Sequence, residues 1–168
     1  AQRDELDRLE RLLDKQDMYS RVWRRLKGRT PPVITIREYT PALKKHFRTL
    51  NEEWLTTFFE IEAEDDKLMS DPNRYIIKKG GAVLFACVHH KVVGCCALIR
   101  TPEGRLELGK MAVTAKFQGQ GIGGRLLQAA IDKARAMGVD ALYLQTSPKL
   151  GAAIHLYERF GFQRESRP

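Results

Sequence analysis

Apolar and polar positions change period several times along the chain, and each change marks an element. Between residues 3 and 28, Leu6, Leu9, Leu13, Val22, Trp23 and Leu26 recur at helical spacing among acids and arginines, which predicts one charged helix. Gly28 can cap it, and Thr30-Pro31-Pro32 stops it. Residues 33–39 alternate and are β-branched, as in a strand. Pro41 then opens a helix to about Phe59, with Leu43, Phe47, Leu50, Trp54 and Phe58 on one face. An acidic stretch (60–66), a short helix and the turn Ser70-Asp71-Pro72-Asn73 follow.

Gly80-Gly81 leads into strand 82–88, the tight turn His89-His90-Lys91 and a returning strand 92–100. Thr101-Pro102-Glu103-Gly104 turns into a third strand, 106–113, completing an antiparallel meander. Residues 122–137 are a strongly periodic helix, with Ile122, Leu126, Leu127, Ala130, Ile131 and Ala134 facing inward and Gly138 at its end. Strand 141–146 comes next, so strand, crossover helix and strand form a right-handed parallel pair. A last helix spans about 150–160, before Gly161, and Phe162 can begin a final strand. The class is α+β, a mixed αβα arrangement. The expected domains are an N-terminal helical extension (1–30) and a main domain (31–168).

Composition narrows the function classes. The sequence of 168 residues is 43% hydrophobic, enough for a core, and no apolar run reaches membrane-spanning length. The charged N-terminus is unlike a signal peptide. Cys87, Cys95 and Cys96 lie inside apolar runs without a CxxC spacing, so they read as buried thiols in a reducing compartment, and the expected location is cytoplasmic. A net charge of +8 favours an anionic partner. The basic residues form no long run, so a polyanionic cofactor accounts for the charge without nucleic acid or a membrane. His89 and His90 have no acid or cysteine at ligand spacing, so no metal site is expected.

The chemistry centres on Gln118-Gly119-Gln120-Gly121-Ile122-Gly123-Gly124, a glycine-rich loop between a strand and a helix. Backbone N–H groups of such a loop converge, and the helix dipole adds positive potential, so a phosphate or pyrophosphate fits there. Arg125, one turn into the helix, can add a full charge. Gly119, Gly121 and Gly124 satisfy GxGxxG, but the strand that follows ends in Gln145-Thr146 and lacks the acid a dinucleotide fold uses on the ribose. The phosphate-loop pattern GxxxxGK[ST] is absent.

The whole stretch MAVTAKFQGQGIGGRLL resembles the signature of the GNAT superfamily of N-acetyltransferases, in which [RQ]-x-x-G-x-[GA] follows a strand. Residues 153–162, AIHLYERFGF, resemble the family's second marker, A-I-x-L-Y-x-x-x-G-F. The resemblance covers about residues 32–163. It implies a central mixed sheet whose parallel pair splays apart, with acetyl-CoA as co-substrate. The pyrophosphate would lie on Gln118, Gly119, Gln120, Gly121, Ile122, Gly123, Gly124 and Arg125. The pantetheine arm would pair with the backbone of Met111, Ala112 and Val113. The family's catalytic glutamate maps to Glu107, as base directly or through water, and its general acid to Tyr157, beside the thiolate. A backbone N–H at Val113 or a neighbour would hold the oxyanion. Gly109, in mid-strand, is consistent with a bulge or close backbone approach, or with simple packing.

Two departures stand out. The family's cofactor-contacting Asn maps to Leu150, so that contact falls to Thr146 or Ser147 or is lost. Residues 162–168 supply at most one of two expected final strands, leaving the acceptor site open there or completed by a second copy in a homodimer.

The resemblance implies that acceptor recognition falls to roughly residues 47–75, where Trp54, Phe58 and Phe59 accompany Glu60, Glu62, Glu64, Asp65 and Asp66. Aromatics beside carboxylates suit a cationic amine, and the same residues suit a core stripe with a solvated acidic loop. The expected acceptor is a small amine or amino acid. The alternatives are a protein N-terminus or lysine, or a non-catalytic module that binds CoA or a partner.

Overall fold

The computed structural model describes residues 32–58, 60–146 and 150–165, without the side chains of Trp54, Thr57, Phe58 and Ala152. The predicted helix 3–28 and the extension 1–30 lie outside the described residues. In chain order the elements are β1 (Ile34–Glu38), a 3-10 turn (Pro41–Leu43), α1 (Lys44–Phe58), α2 (Ala63–Ser70), a π-turn (Asn73–Ile77), β2 (Ala82–Val88), β3 (Lys91–Arg100), β4 (Leu106–Val113), a 3-10 turn (Ala115–Phe117), α3 (Ile122–Ala136), β5 (Leu142–Leu144) and α4 (Gly151–Arg159). The strands form one sheet in the order β1-β2-β3-β4-β5. All neighbours are antiparallel except β4 and β5.

Helices cover both faces of this sheet, which is why β2 and most of β3 read as unbroken apolar runs. Ala82, Leu84, Ala86 and Val88 join Cys96, Leu98, Leu106 and Leu108 in a core closed by Ile122, Leu126, Leu127, Ala130 and Ala134 of α3. Val83, Phe85, Cys95, Ala97 and Ala112 face the other way, against Leu43, Phe47, Leu50 and Leu55 of the α1 region. Phe47 meets Phe85 edge-on at 6.4 Å. At Gly94 a Cβ would lie 3.1 Å from both the Ala112 carbonyl oxygen and Leu126 Cδ1, so glycine there lets α3 approach the sheet.

Local features differ from the sequence expectation. The acidic stretch is partly helical, because Glu62 and Asp65 form a capping box that starts α2. The strand bulge sits at Lys110, with φ 51°, beside Gly109 instead of on it. The β3–β4 register passes from Cys95↔Ala112 to Ala97↔Gly109, so β4 carries one extra residue there. Residues 162–165 are not a strand, and 166–168 lie outside the described residues. His89 and His90 both have positive φ, as a two-residue hairpin turn requires. Among the described residues, no helix is long and apolar enough to cross a membrane.

Candidate active site

β5 pairs with β4 only at Leu106↔Leu142, Glu107↔Tyr143 and Leu108↔Leu144. Beyond Leu108, that edge of β4 has no strand partner among the described residues. Met111, Ala112 and Val113 lie along it, held on the other edge by Cys95 and Gly94 of β3. The bulge shifts the alternation by one. Ala112 therefore turns into the α1-side core, while Met111 and Val113 pack on the α3 side. A peptide-like chain entering the gap meets main-chain groups in the extended state that strand addition uses.

The strand leads directly into the glycine loop. Thr114 N–H donates to the Val93 carbonyl at 2.9 Å, and the 3-10 turn Ala115–Phe117 reverses the chain. Gly119 and Gly121 have φ of 75° and 82°, a region that favours glycine, and a Cβ at Gly119 would meet nothing within 4 Å. Gly121 is the N-cap of α3 and no side chain caps the helix. Arg125 N–H makes the first intrahelical bond, to Gly121 O at 3.1 Å, so the preceding N–H groups of the first turn have no acceptor within the helix. A diphosphate fits this end, with Arg125 exposed one turn along.

The loop residues divide by task. Gln118 donates its side-chain amide to the Val113 carbonyl at 3.0 Å, tying loop to strand end. Gln120 bonds Lys116 O at 3.3 Å. The Ile122 side chain is buried in the core, which leaves only its backbone for a ligand. Gly123 and Gly124 also admit α4: a Cβ at Gly123 would lie 3.4 Å from Leu156 Cδ2, and one at Gly124 3.9 Å from Phe160.

Glu107 and Tyr157 lie on opposite faces of the sheet. Glu107 alternates with Leu106 and Leu108 and stands opposite Ile99, which packs on the α1 side. It is half-buried, at the last paired stretch before the gap. Tyr157, on α4, packs against the α3-side core and meets Phe162 edge-on at 6.0 Å. Burial pushes its phenol above the ordinary value, and Cys96 acts in the same direction, so the hydroxyl keeps its proton at neutral pH.

Other candidates fall away from this centre. Cys95 and Cys96 face opposite cores, and burial pushes Cys95 up to about 12 and Cys96 higher still, so neither is a ready nucleophile. His155 is exposed on α4. Among the described residues no group of His, Cys, Asp and Glu could hold a metal ion. Leu150 precedes α4 as its N-cap and Thr146 is exposed, whereas Ser147, Phe59 and the side chains of Trp54 and Phe58 lie outside the described residues.

The sequence reading did not single out Glu53, and it named Asp65 only within the acidic acceptor stretch, although both brace the strand end. Glu53 of α1 accepts from Ala115 N–H at 2.9 Å and from Thr114 Oγ1 at 3.2 Å. Asp65 of α2 forms an ion pair with Lys110 at the bulge. The E-x-x-D spacing of Glu62 and Asp65 is a local capping signal, but neither long-range partner leaves one.

Comparison with known proteins places this arrangement. The model of the acetyltransferase (GNAT) family matches residues 44–162. N-alpha-acetyltransferase 30 of Saccharomyces cerevisiae is 30% identical over 132 residues, spanning 70% of this chain and 73% of the relative. N-alpha-acetyltransferase RimI of Mycobacterium tuberculosis is 37% identical over 98 residues, spanning 58% and 57%. Among solved structures, a GNAT-family acetyltransferase from Staphylococcus aureus has a TM-score of 0.72 and 25% identity over 80% of this chain and 86% of that one. The fold is shared by a Clostridium acetobutylicum acetyltransferase with acetyl-CoA, at TM-score 0.65 and 14% identity over 79% of this chain and 92% of that one. Motif order, splayed strands and family match agree that the chain belongs to the acetyltransferase (GNAT) family, as an acyltransferase whose acetyl donor is acetyl-CoA.

Proposed function

We propose that the chain acetylates a primary amine of a small molecule or amino acid, by direct attack in a ternary complex. The observation that carries this reading is the gap beyond Leu108, which opens beside Glu107 and continues into the glycine loop. Acetyl-CoA supplies the acetyl group as an activated thioester. Met111, Ala112 and Val113 offer backbone groups to the pantetheine arm, and residues 118–125 receive the pyrophosphate. Glu107 takes the amine proton, directly or through a water. Tyr157 presents a phenolic proton to the departing sulfur, and the Val113 N–H or its neighbour steadies the developing negative oxygen. Alignment of the two substrates contributes more than either proton transfer.

A second reading has its own support. Two relatives are named as N-alpha-acetyltransferases, which favours the α-amine of a polypeptide as acceptor. Released thiol, measured over a panel of small amines, amino acids and peptides with free or blocked N-termini, separates the two. Turnover with small amines supports the first reading, and turnover confined to free N-termini supports the second. Tight acetyl-CoA binding without turnover on any acceptor would leave a CoA-binding module.

A further inference from the structure

β4 leaves its β5 partner after Leu108, so among the described residues the stretch that carries the bulge has a strand on one edge only. Lys110, at the bulge, adopts φ 51°, a left-handed conformation that a residue with a Cβ rarely takes. Contacts from both sides hold it there. From within, the buried Cys95 thiol donates to the Lys110 carbonyl at 3.4 Å. Asn51 of α1, itself fully buried, donates to that sulfur at 3.5 Å and to Phe47 O at 2.8 Å. From the other side, Lys110 Nζ pairs with Asp65 Oδ1 of α2, the two side chains being only 16% and 19% exposed. Asp65 Oδ2 accepts the Glu62 N–H at 3.1 Å, within the capping box that starts α2.

One residue therefore serves two places. Its backbone shapes the strand end that borders the gap, and its side chain is tied to the helix that follows the α1–α2 connection. The pair differs from the neighbouring Arg48–Asp66 bridge, whose side chains are 35% and 60% exposed and more screened. Removing one partner of the Lys110–Asp65 pair leaves a mostly buried charge alone.

We infer that Lys110 is a positioning residue that couples α2, through Asp65, to the β4 bulge beside the gap. The inference rests on the acetyl-transfer reading above. An acceptor that rests on α2 also fixes the bulge through Asp65, so that acceptor binding and acetyl alignment occur together.

The test uses the full chain, acetyl-CoA and an amine acceptor found by the panel. Lys110→Met removes the charge, and Asp65→Asn removes it while keeping an oxygen for the Glu62 N–H. Both should lower kcat about 10–100-fold, the scale of a misalignment near 1 Å. Acetyl-CoA affinity by calorimetry should stay within about threefold, because the glycine loop is untouched. Lys110→Arg should restore kcat to within about threefold of wild type, since a guanidinium can keep the ion pair. Lys110→Gly keeps the left-handed backbone without the side chain, so it separates the two roles and guards against misfolding of the others. A kcat for Lys110→Gly as low as that of Lys110→Met supports the coupling. Near-wild-type kcat in Lys110→Gly, or in both Lys110→Met and Asp65→Asn, overturns it while the function reading stands. Absence of turnover in the wild type overturns the function reading and this inference with it.

Discussion

The Glu53 carboxylate accepts a hydrogen bond from the Ala115 backbone N–H at 2.9 Å, across 62 residues of sequence. Glu53 belongs to α1, and Ala115 opens the turn that carries β4 into the glycine loop. Thr114 Oγ1 donates to the same carboxylate at 3.2 Å. α1 thus caps the exit of β4 with charge-assisted bonds. Glu53→Ala should raise KM for acetyl-CoA about 3–10-fold, the range for a partly solvated bond of this kind. Glu53→Gln keeps an acceptor oxygen and should stay within about twofold of wild type. Steady-state thiol release checks both, and an unchanged KM in Glu53→Ala would remove the cap from the donor site.

Gly123 offers a direct test of the loop. Its Cβ position already lies 3.4 Å from Leu156 Cδ2, so the γ-carbons of valine must displace α4 or cover the first-turn N–H groups. Gly123→Val should weaken acetyl-CoA binding more than about tenfold, the loss expected from hydrogen bonds to a charged group. Calorimetric titration reads this, with circular dichroism to show that the fold persists. Wild-type affinity in the variant would mean that the pyrophosphate lies elsewhere.

Tyr157→Phe should lower kcat about 10²-fold, the low end for loss of a general acid, with acetyl-CoA affinity little changed. The phenol is raised by burial, so it remains protonated across the neutral range, and no activity loss from its ionisation should occur below its ordinary value of 10.0. A pH–rate profile of wild type against Tyr157→Phe measures this. Equal kcat values would exclude Tyr157 from the proton transfer.

The buried thiols give the protein an alkaline limit. Cys95 and Cys96 are both raised by burial, Cys95 from 9.0 to about 12. The unfolded chain loses these protons first, so their stabilising effect is complete below pH 9.0 and is lost as pH rises toward the folded-state value. Each group removes up to about 1.4 kcal/mol per pH unit in that window. Denaturant unfolding at successive pH values should show a flat region and then this decline, shallower in Cys95→Ala. A stability curve level through pH 11 would contradict the burial of both thiols.

How far the site was legible depended on the range of the interactions that form it. Gly119, Gly121 and the start of α3 were readable because a left-handed loop and a helix N-terminus are local events with local residue requirements. The α3 face was readable as well, since the helical period through 122–136 matches one side of a layered sheet, whereas the unbroken apolar run 82–88 left its two faces undivided until helices covered both. Gly109 left a bulge, a close backbone approach and simple packing open, and the bulge lies at its neighbour Lys110. Glycine is the residue that ordinarily tolerates positive φ, yet Lys110 takes it, held by Cys95 and Asp65. Glu62–Asp65 reads as an acidic loop in composition and becomes a helix start because its carboxylates cap backbone N–H groups.

By itself the sequence determined the order of the elements, the glycine loop, the two family markers and the inward face of α3, because periodicity, backbone permissiveness and capping act over a few residues. Tertiary structure alone decided where β4 parts from β5, which side of the sheet Glu107 and Tyr157 occupy, and that Glu53 and Asp65 brace the strand end. Those outcomes depend on pairing register and on contacts across 45 and 62 residues. Whether such groups meet depends on how whole layers pack, which no short window of residues encodes.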